Sequence, residues 1–93
     1  LIQTETTMRV QILPKAAKDL KALTPPDRAR VIGKIERYAD DPASQANNVK
    51  ALQGSDLYRL RVGDYRVLFT IAADGTVTVM LVHRVRHRRE AYD

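Results

Sequence analysis

Cysteine is missing from all 93 residues. Disulfides and thiolate chemistry are thereby excluded, and a reducing, cytoplasmic setting is the expectation that follows. Long apolar runs are missing as well. Nothing approaches the ~20 residues that a membrane-spanning helix requires, and the first residues lack the basic–apolar pattern of a secretion signal. Aromatic residues are scarce: four tyrosines, one phenylalanine and no tryptophan. Most of them are committed to predicted core faces, which leaves few for sequence-tolerant stacking on nucleobases. No glycine-rich phosphate loop and no Ser–His–Asp set stands out. His83 and His87 are four apart, a spacing that suits a metal on a helix. Here they leave a predicted strand, and no carboxylate completes a ligand set. Neither a metal nor a cofactor is expected.

What is present suits one small folded unit. A chain of this length buries somewhat more than ~60% of its unfolded surface. A composition of 44% hydrophobic and 29% charged residues excludes global disorder. A single domain over residues 8–93 is expected, and "LIQTETT" at 1–7 reads as an upstream extension or an appended remnant without function. The net charge of +5 points to an anionic partner, either nucleic acid or an acidic protein. Its distribution says more than its size. Up to Ala46 the cations are four arginines and four lysines; from Asn47 onward they are seven arginines and one lysine, Lys50. The planar fork of arginine matches phosphate and carboxylate geometry, so this shift indicates recognition rather than plain solubility. The densest stretch is "HRVRHRREAYD", beginning at His83, with four of the eleven arginines and both histidines.

Hydrophobic periodicity gives the elements. "MRVQILP" alternates, with Met8, Val10 and Ile12 on one face, and predicts a strand that Pro14 ends. Ala16, Ala17, Leu20 and Leu23 then recur at helical spacing. A second helix starts with Thr24 as cap, Pro25 at its first position and Asp27 in its first turn, and Pro42 closes it. Val31, Ile32, Ile35, Tyr38 and Ala39 form its apolar stripe. A linker this short predicts an antiparallel helix hairpin. "SQANNVKALQGSD" reads as a polar connection with a short strand near Val49–Leu52. "LYRLRV", "YRVLFTI" and "TVTVMLVHRV" then predict a three-stranded antiparallel meander turning at Gly63-Asp64 and Asp74-Gly75. The fold class is α+β, with the helices packed on one face of the sheet.

Two-residue turns also fix which residues face each other. Across Gly63-Asp64, Arg61 should oppose Arg66, Leu60 should oppose Val67 and Arg59 should oppose Leu68. Across Asp74-Gly75, Arg66 should oppose His83, Val67 should oppose Val82 and Phe69 should oppose Met80. One face is then almost wholly apolar, while Arg59, Arg61, Arg66 and His83 gather on the other near the first turn. Like charges directly opposite each other destabilise a sheet by ~0.2–1 kcal/mol, which makes sense of the cluster if an anion binds among them. Solvated arginines splaying into water are the plain alternative. By parity, Arg84 and Arg86 would point into the apolar face of an unbroken strand. The strand is therefore expected to end, bulge or twist near Arg84.

"LYRLRVGDYRVLFTI", followed by "HRREAY" near the C-terminus, resembles the RelE/ParE toxin superfamily of bacterial toxin–antitoxin pairs. The resemblance covers nearly the whole chain from Met8 onward. It implies an antitoxin partner in a hetero-oligomer and one of two activities. One is ribosome-dependent mRNA cleavage through the RNA's own 2′-hydroxyl, which needs no metal. The other is poisoning of DNA gyrase without a nuclease site. A non-catalytic nucleic-acid-binding module is a third reading, drawn from charge alone. For the nuclease, the resemblance implies that Arg59 and Arg61 stand where two lysines are usual, and that Arg66 meets the scissile phosphate. Arg86 or Arg88 would supply the arginine after the last strand, and Tyr92 the C-terminal tyrosine that stacks on a base or aids proton transfer. Arginine, with a pKa above ~12, is no plausible base. His87 is therefore the candidate acid or base, since histidine titrates near neutrality. Lys50, His83, Arg84, Arg88 and Arg89 are the expected RNA or phosphate contacts.

Overall fold

A proline starts each of the two main helices. The structure, a computed structural model, describes residues 8–90, apart from the side chain of Asp74. Strand β1 (Arg9–Ile12) leads into helix α1 (Pro14–Lys21), followed by α2 (Pro25–Asp40), a 3-10 helix (Pro42–Asn48), and strands β2 (Val49–Ala51), β3 (Tyr58–Val62), β4 (Tyr65–Asp74) and β5 (Val77–His87). Pro14 and Pro25 lie in the first turns, where no amide is needed. Thr24 caps α2 as expected, its Oγ1 accepting from the Asp27 amide at 3.3 Å. Arg28 of α2 reaches back to the end of α1 and donates to the carbonyls of Leu20 and Leu23, both at 2.9 Å. The Leu20 carbonyl also takes the Leu23 amide at 3.1 Å, so Arg28 adds a second bond at the end of α1 and ties the link between the helices to α2. The 3-10 helix was not foreseen. The strand after it, β2, falls within the expected stretch.

Helix residues Ala16, Leu20, Val31, Ile35 and Ala39 bury themselves against Leu60, Val62, Val67, Phe69, Met80, Val82 and Val85 of the sheet. Phe69 is fully buried, with the Tyr38 ring centroid 5.1 Å away and that of Tyr58 at 5.5 Å. The expected meander is the centre of a wider, five-stranded sheet, ordered β1-β5-β4-β3-β2. β1 lies parallel to β5, and every other pair is antiparallel.

The β3–β4 register matches the expectation, with Arg61 opposite Arg66 and Leu60 opposite Val67. Gly63 supports the turn with φ of 58°, a left-handed conformation that suits glycine. The β4–β5 register differs. Asp74 still pairs with Val77, so the loop is Gly75-Thr76 and Phe69 faces Val82 instead of Met80. The loop moved by one residue because Gly75, at φ of 64°, takes its first position. A bulge follows: Phe69 pairs with Val82 but Leu68 pairs with Arg84, leaving His83 as the extra residue. Arg66 consequently opposes Arg86, not His83. The anticipated irregularity near Arg84 is this bulge. It lets Val85 enter the core while Arg86 turns to the side of Arg66, avoiding burial of an arginine among apolar residues.

Candidate functional site

Three strands bring Arg61, Arg66 and Arg86 into one row across the sheet face away from the core. Lys50, directly opposite Arg59 on β2 and β3, lies beside it. Arg66 is the central member and only 8% exposed. Its Nη1 donates to the carbonyls of Gly63 and Tyr65, both at 2.9 Å, and its Nε has no hydrogen-bond partner. Among the described residues no carboxylate pairs with Arg66 or with Arg61. A cation buried between two other cations, and held only by neutral carbonyls, is unfavourable unless an anion joins it.

The remaining cations are held to different degrees. Arg84 is committed to α1: its Nε meets Asp19 Oδ2 at 2.8 Å and its Nη2 meets Oδ1 at 3.2 Å. The Val85 amide donates to the same carboxylate at 2.9 Å. Burial alone would raise the Asp19 pKa, but the hydrogen bonds from Arg84 and Val85 and the charge of Arg84 outweigh it and hold the carboxyl below its ordinary 3.8. The Asp19 hydrogen bond in turn raises Arg84. Arg84 therefore ties β5 to α1 just beyond the end of β1. Arg86 has a looser partner, Glu90, at 3.5 Å. Arg88 stands 3.7 Å from the exposed Asp64 side chain, its own amide bound to the Asp64 carbonyl at 2.7 Å. Arg89 is exposed.

The two histidines diverge. His83, at the bulge, hydrogen-bonds Thr70 Oγ1 at 2.9 Å. His87 pairs with Tyr65 across the strands, the rings edge to face with centroids 5.5 Å apart. The Arg89 amide donates to His87 Nδ1 at 3.2 Å, which assigns the proton of the neutral ring to Nε2. Tyr65 donates to Asp27 Oδ2 at 3.2 Å. Burial first, and then that hydrogen bond, raise its pKa, so the phenol stays protonated. Tyr92 lies outside the described residues.

Of the expected site residues, Arg61, Arg66 and Arg86 meet in one row, with Arg59 and Lys50 alongside. His83 and Arg84 are drawn away to Thr70 and Asp19. The acidic residues Asp19, Asp64 and Glu90 were missed. Glu90 had no clear signal, because it meets Arg86 only through the turn that follows β5. Asp19 had none, because its partners lie on a distant strand. No group of three or more metal-binding side chains occurs among the described residues. No helix among them is long and apolar enough to cross a membrane.

Comparison with known proteins agrees with this architecture. The family model for the ParE toxin of type II toxin–antitoxin systems, parDE, matches residues 10–92. A Methanocaldococcus jannaschii protein named "Putative toxin RelE1" is 31% identical over 85 residues, covering 89% of this chain and 92% of its own. The fold recurs in the RelBE2 toxin–antitoxin complex of Mycobacterium tuberculosis, with TM-score 0.72, 27% identity and coverage of 88% of this chain and 99% of that one. It recurs again in the archaeal RelE–RelB complex of Pyrococcus horikoshii OT3, with TM-score 0.69, 29% identity and coverage of 91% and 99%. A small α+β toxin fold with one basic sheet face is thus the class. The chain belongs to the ParE toxin family of type II toxin–antitoxin systems, within the RelE/ParE superfamily.

Proposed function

We propose that this toxin is a ribosome-dependent mRNA endonuclease, neutralised by a cognate antitoxin that covers part of its basic face and neighbouring apolar surface. The observation that carries the reading is Arg66, a buried guanidinium without a carboxylate partner at the centre of a row of cations. Such a group suits a bridging phosphate that arrives with its substrate.

In the proposed reaction the 2′-hydroxyl passes its proton to water as its oxygen attacks the adjacent phosphorus, and the bond to the 5′-oxygen breaks, leaving a cyclic phosphate and a 5′-hydroxyl. Negative charge grows on the non-bridging oxygens, where Arg61, Arg66 and Arg86 stabilise it. Fixed charges of this kind contribute most in a site that needs no rearrangement at the moment of reaction. Arg86 exchanges its loose contact with Glu90 for shorter, charge-assisted bonds to phosphate. His87, protonated on both ring nitrogens once the Arg89 amide leaves Nδ1, donates its Nε2 proton to the leaving oxygen. DNA lacks the nucleophile and is not cut.

The known proteins with this fold cited above were solved as toxin–antitoxin complexes, which supports an antitoxin partner here. One finding favours a second reading: the matching family model is ParE, so gyrase poisoning without cleavage is the alternative. Purified toxin incubated with programmed ribosomes and, separately, with gyrase tests both. Codon-positioned mRNA cuts that vanish in Arg66→Ala are expected. Intact mRNA beside trapped gyrase–DNA complexes would replace the nuclease with the gyrase poison.

A further inference from the structure

A hollow of about 430 Å³ lies beside the arginine row, lined by Ala46, Asn47, Asn48, Lys50, Arg59 and Arg61 among others. Its volume falls within the ~300–1,000 Å³ typical of small-molecule sites, and it exceeds what a phosphate group alone would fill. Its walls differ in kind. One is cationic: Lys50 and Arg61 have no carboxylate partner among the described residues. The other is made of side-chain amides from the end of the 3-10 helix. Asn48 does not rotate freely there. Its Nδ2 donates to Oε1 of Gln45 at 3.1 Å, and Gln45 is only 6% exposed. That bond leaves Asn48 Oδ1 and a second Nδ2 hydrogen for a ligand.

Arg61 belongs to both the hollow and the row, while Arg59 points the same way two residues, or about 7 Å, further along the strand. We infer that the hollow is a subsite for one ribonucleotide flanking the phosphate held by the row, with Lys50 and Arg61 on its backbone and Asn47 and Asn48 on the edge of its base. Amides suit that task because they present a donor and an acceptor side by side, the pattern by which asparagine reads a base. Unstacked single-stranded RNA exposes such edges. The inference rests on the sheet face binding RNA and adds where sequence preference enters.

Binding of a 2′-O-methyl RNA trinucleotide, which cannot be cut, tests it without requiring catalysis. In ¹⁵N–¹H spectra of the full chain, the side-chain amides of Asn47 and Asn48 should shift together with the Arg61 Nε signal. Lys50→Ala should weaken binding about tenfold, as expected for a charge-assisted contact. Asn48→Ala should weaken the preferred trinucleotide about fivefold and narrow the spread among base variants. Asn47→Ala, at an exposed position, guards against a folding defect at Asn48. Shifts confined to Arg61, Arg66 and Arg86 would overturn the subsite, as would no binding at all. So would an acidic peptide that moves both asparagines when the RNA does not. Cleavage on programmed ribosomes separates the two readings. Cutting with silent asparagines removes only the subsite; trinucleotide binding without cutting removes only the nuclease.

Discussion

Arg84 and Arg86 leave the same strand two residues apart, and different groups hold their guanidiniums. Arg84 is gripped at two points by Asp19 of α1, which also takes the Val85 amide. Arg86 has a looser contact with Glu90 and stands in line with Arg66 and Arg61. Both would count equally in any tally of basic residues. One is part of the framework, and the other, more loosely held, is the one proposed to meet a substrate. What separates them is whether a carboxylate from another element already satisfies the charge with good geometry.

The sharpest way to break that comparison is through activity. Arg86→Ala should lower mRNA cutting on programmed ribosomes by at least ~100-fold, the usual worth of a group that stabilises transition-state charge, while leaving the urea unfolding midpoint nearly unchanged. Arg84→Ala should do the reverse, lowering the midpoint first. Equal loss of cutting in a fully stable Arg84→Ala protein would erase the distinction.

Stability comes next. Asp19→Ala orphans the Val85 amide, and that alone should cost about 1–3 kcal/mol in urea unfolding at constant m-value. An unchanged midpoint would mean that the clamp is dispensable. Acid should act on the same residue. The carboxyl of Asp19 is held below its ordinary 3.8 in the folded chain, so its contribution is fully present above that value. It is lost as pH falls through the lower folded value. The midpoint difference between wild type and Asp19→Asn should therefore shrink only below about pH 3.8. Loss of the difference near neutrality would contradict the clamp. The smallest effect is expected at Arg88, whose ion pair with Asp64 is long and exposed on both sides. Arg88→Ala should leave the midpoint within measurement scatter, as most surface pairs do.

Much of the fold was legible because local rules decide it. Thr24 and Pro25 start α2, and Gly63 turns β3 into β4 with the expected pairing of Arg61 and Arg66. Two thirds of the arginine row followed from that one turn. The third member did not. The Asp-Gly signal marked the right place, but Asp74 stays in the ladder and the loop begins at Gly75. The bulge at His83 then shifts the register again. Its occurrence could be argued from the cost of burying Arg84 and Arg86, but the displacement of His83 in favour of Arg86 could not. Asp19 is the deeper reason: it holds the strand beyond the bulge, and nothing near it in sequence announces a partner on β5. The lateral order of the sheet was hidden for the same cause, since the placement of β1 and β2 depends on distant segments.

The parallel pairing of β1 with β5 has a kinetic consequence. β3, β4 and β5 are joined by two-residue turns, and hairpins of that kind zip in ~1–10 μs. β1 meets β5 at Arg9–Val79 through Ile12–Val82, so its docking closes nearly the whole described chain into a ring and carries the loop entropy of that closure. The arginine row is thus expected to assemble early, with docking of β1 as the later step. Weakening substitutions at Val10 or Ile12 should raise the unfolding limb of a chevron plot and leave the refolding limb nearly in place.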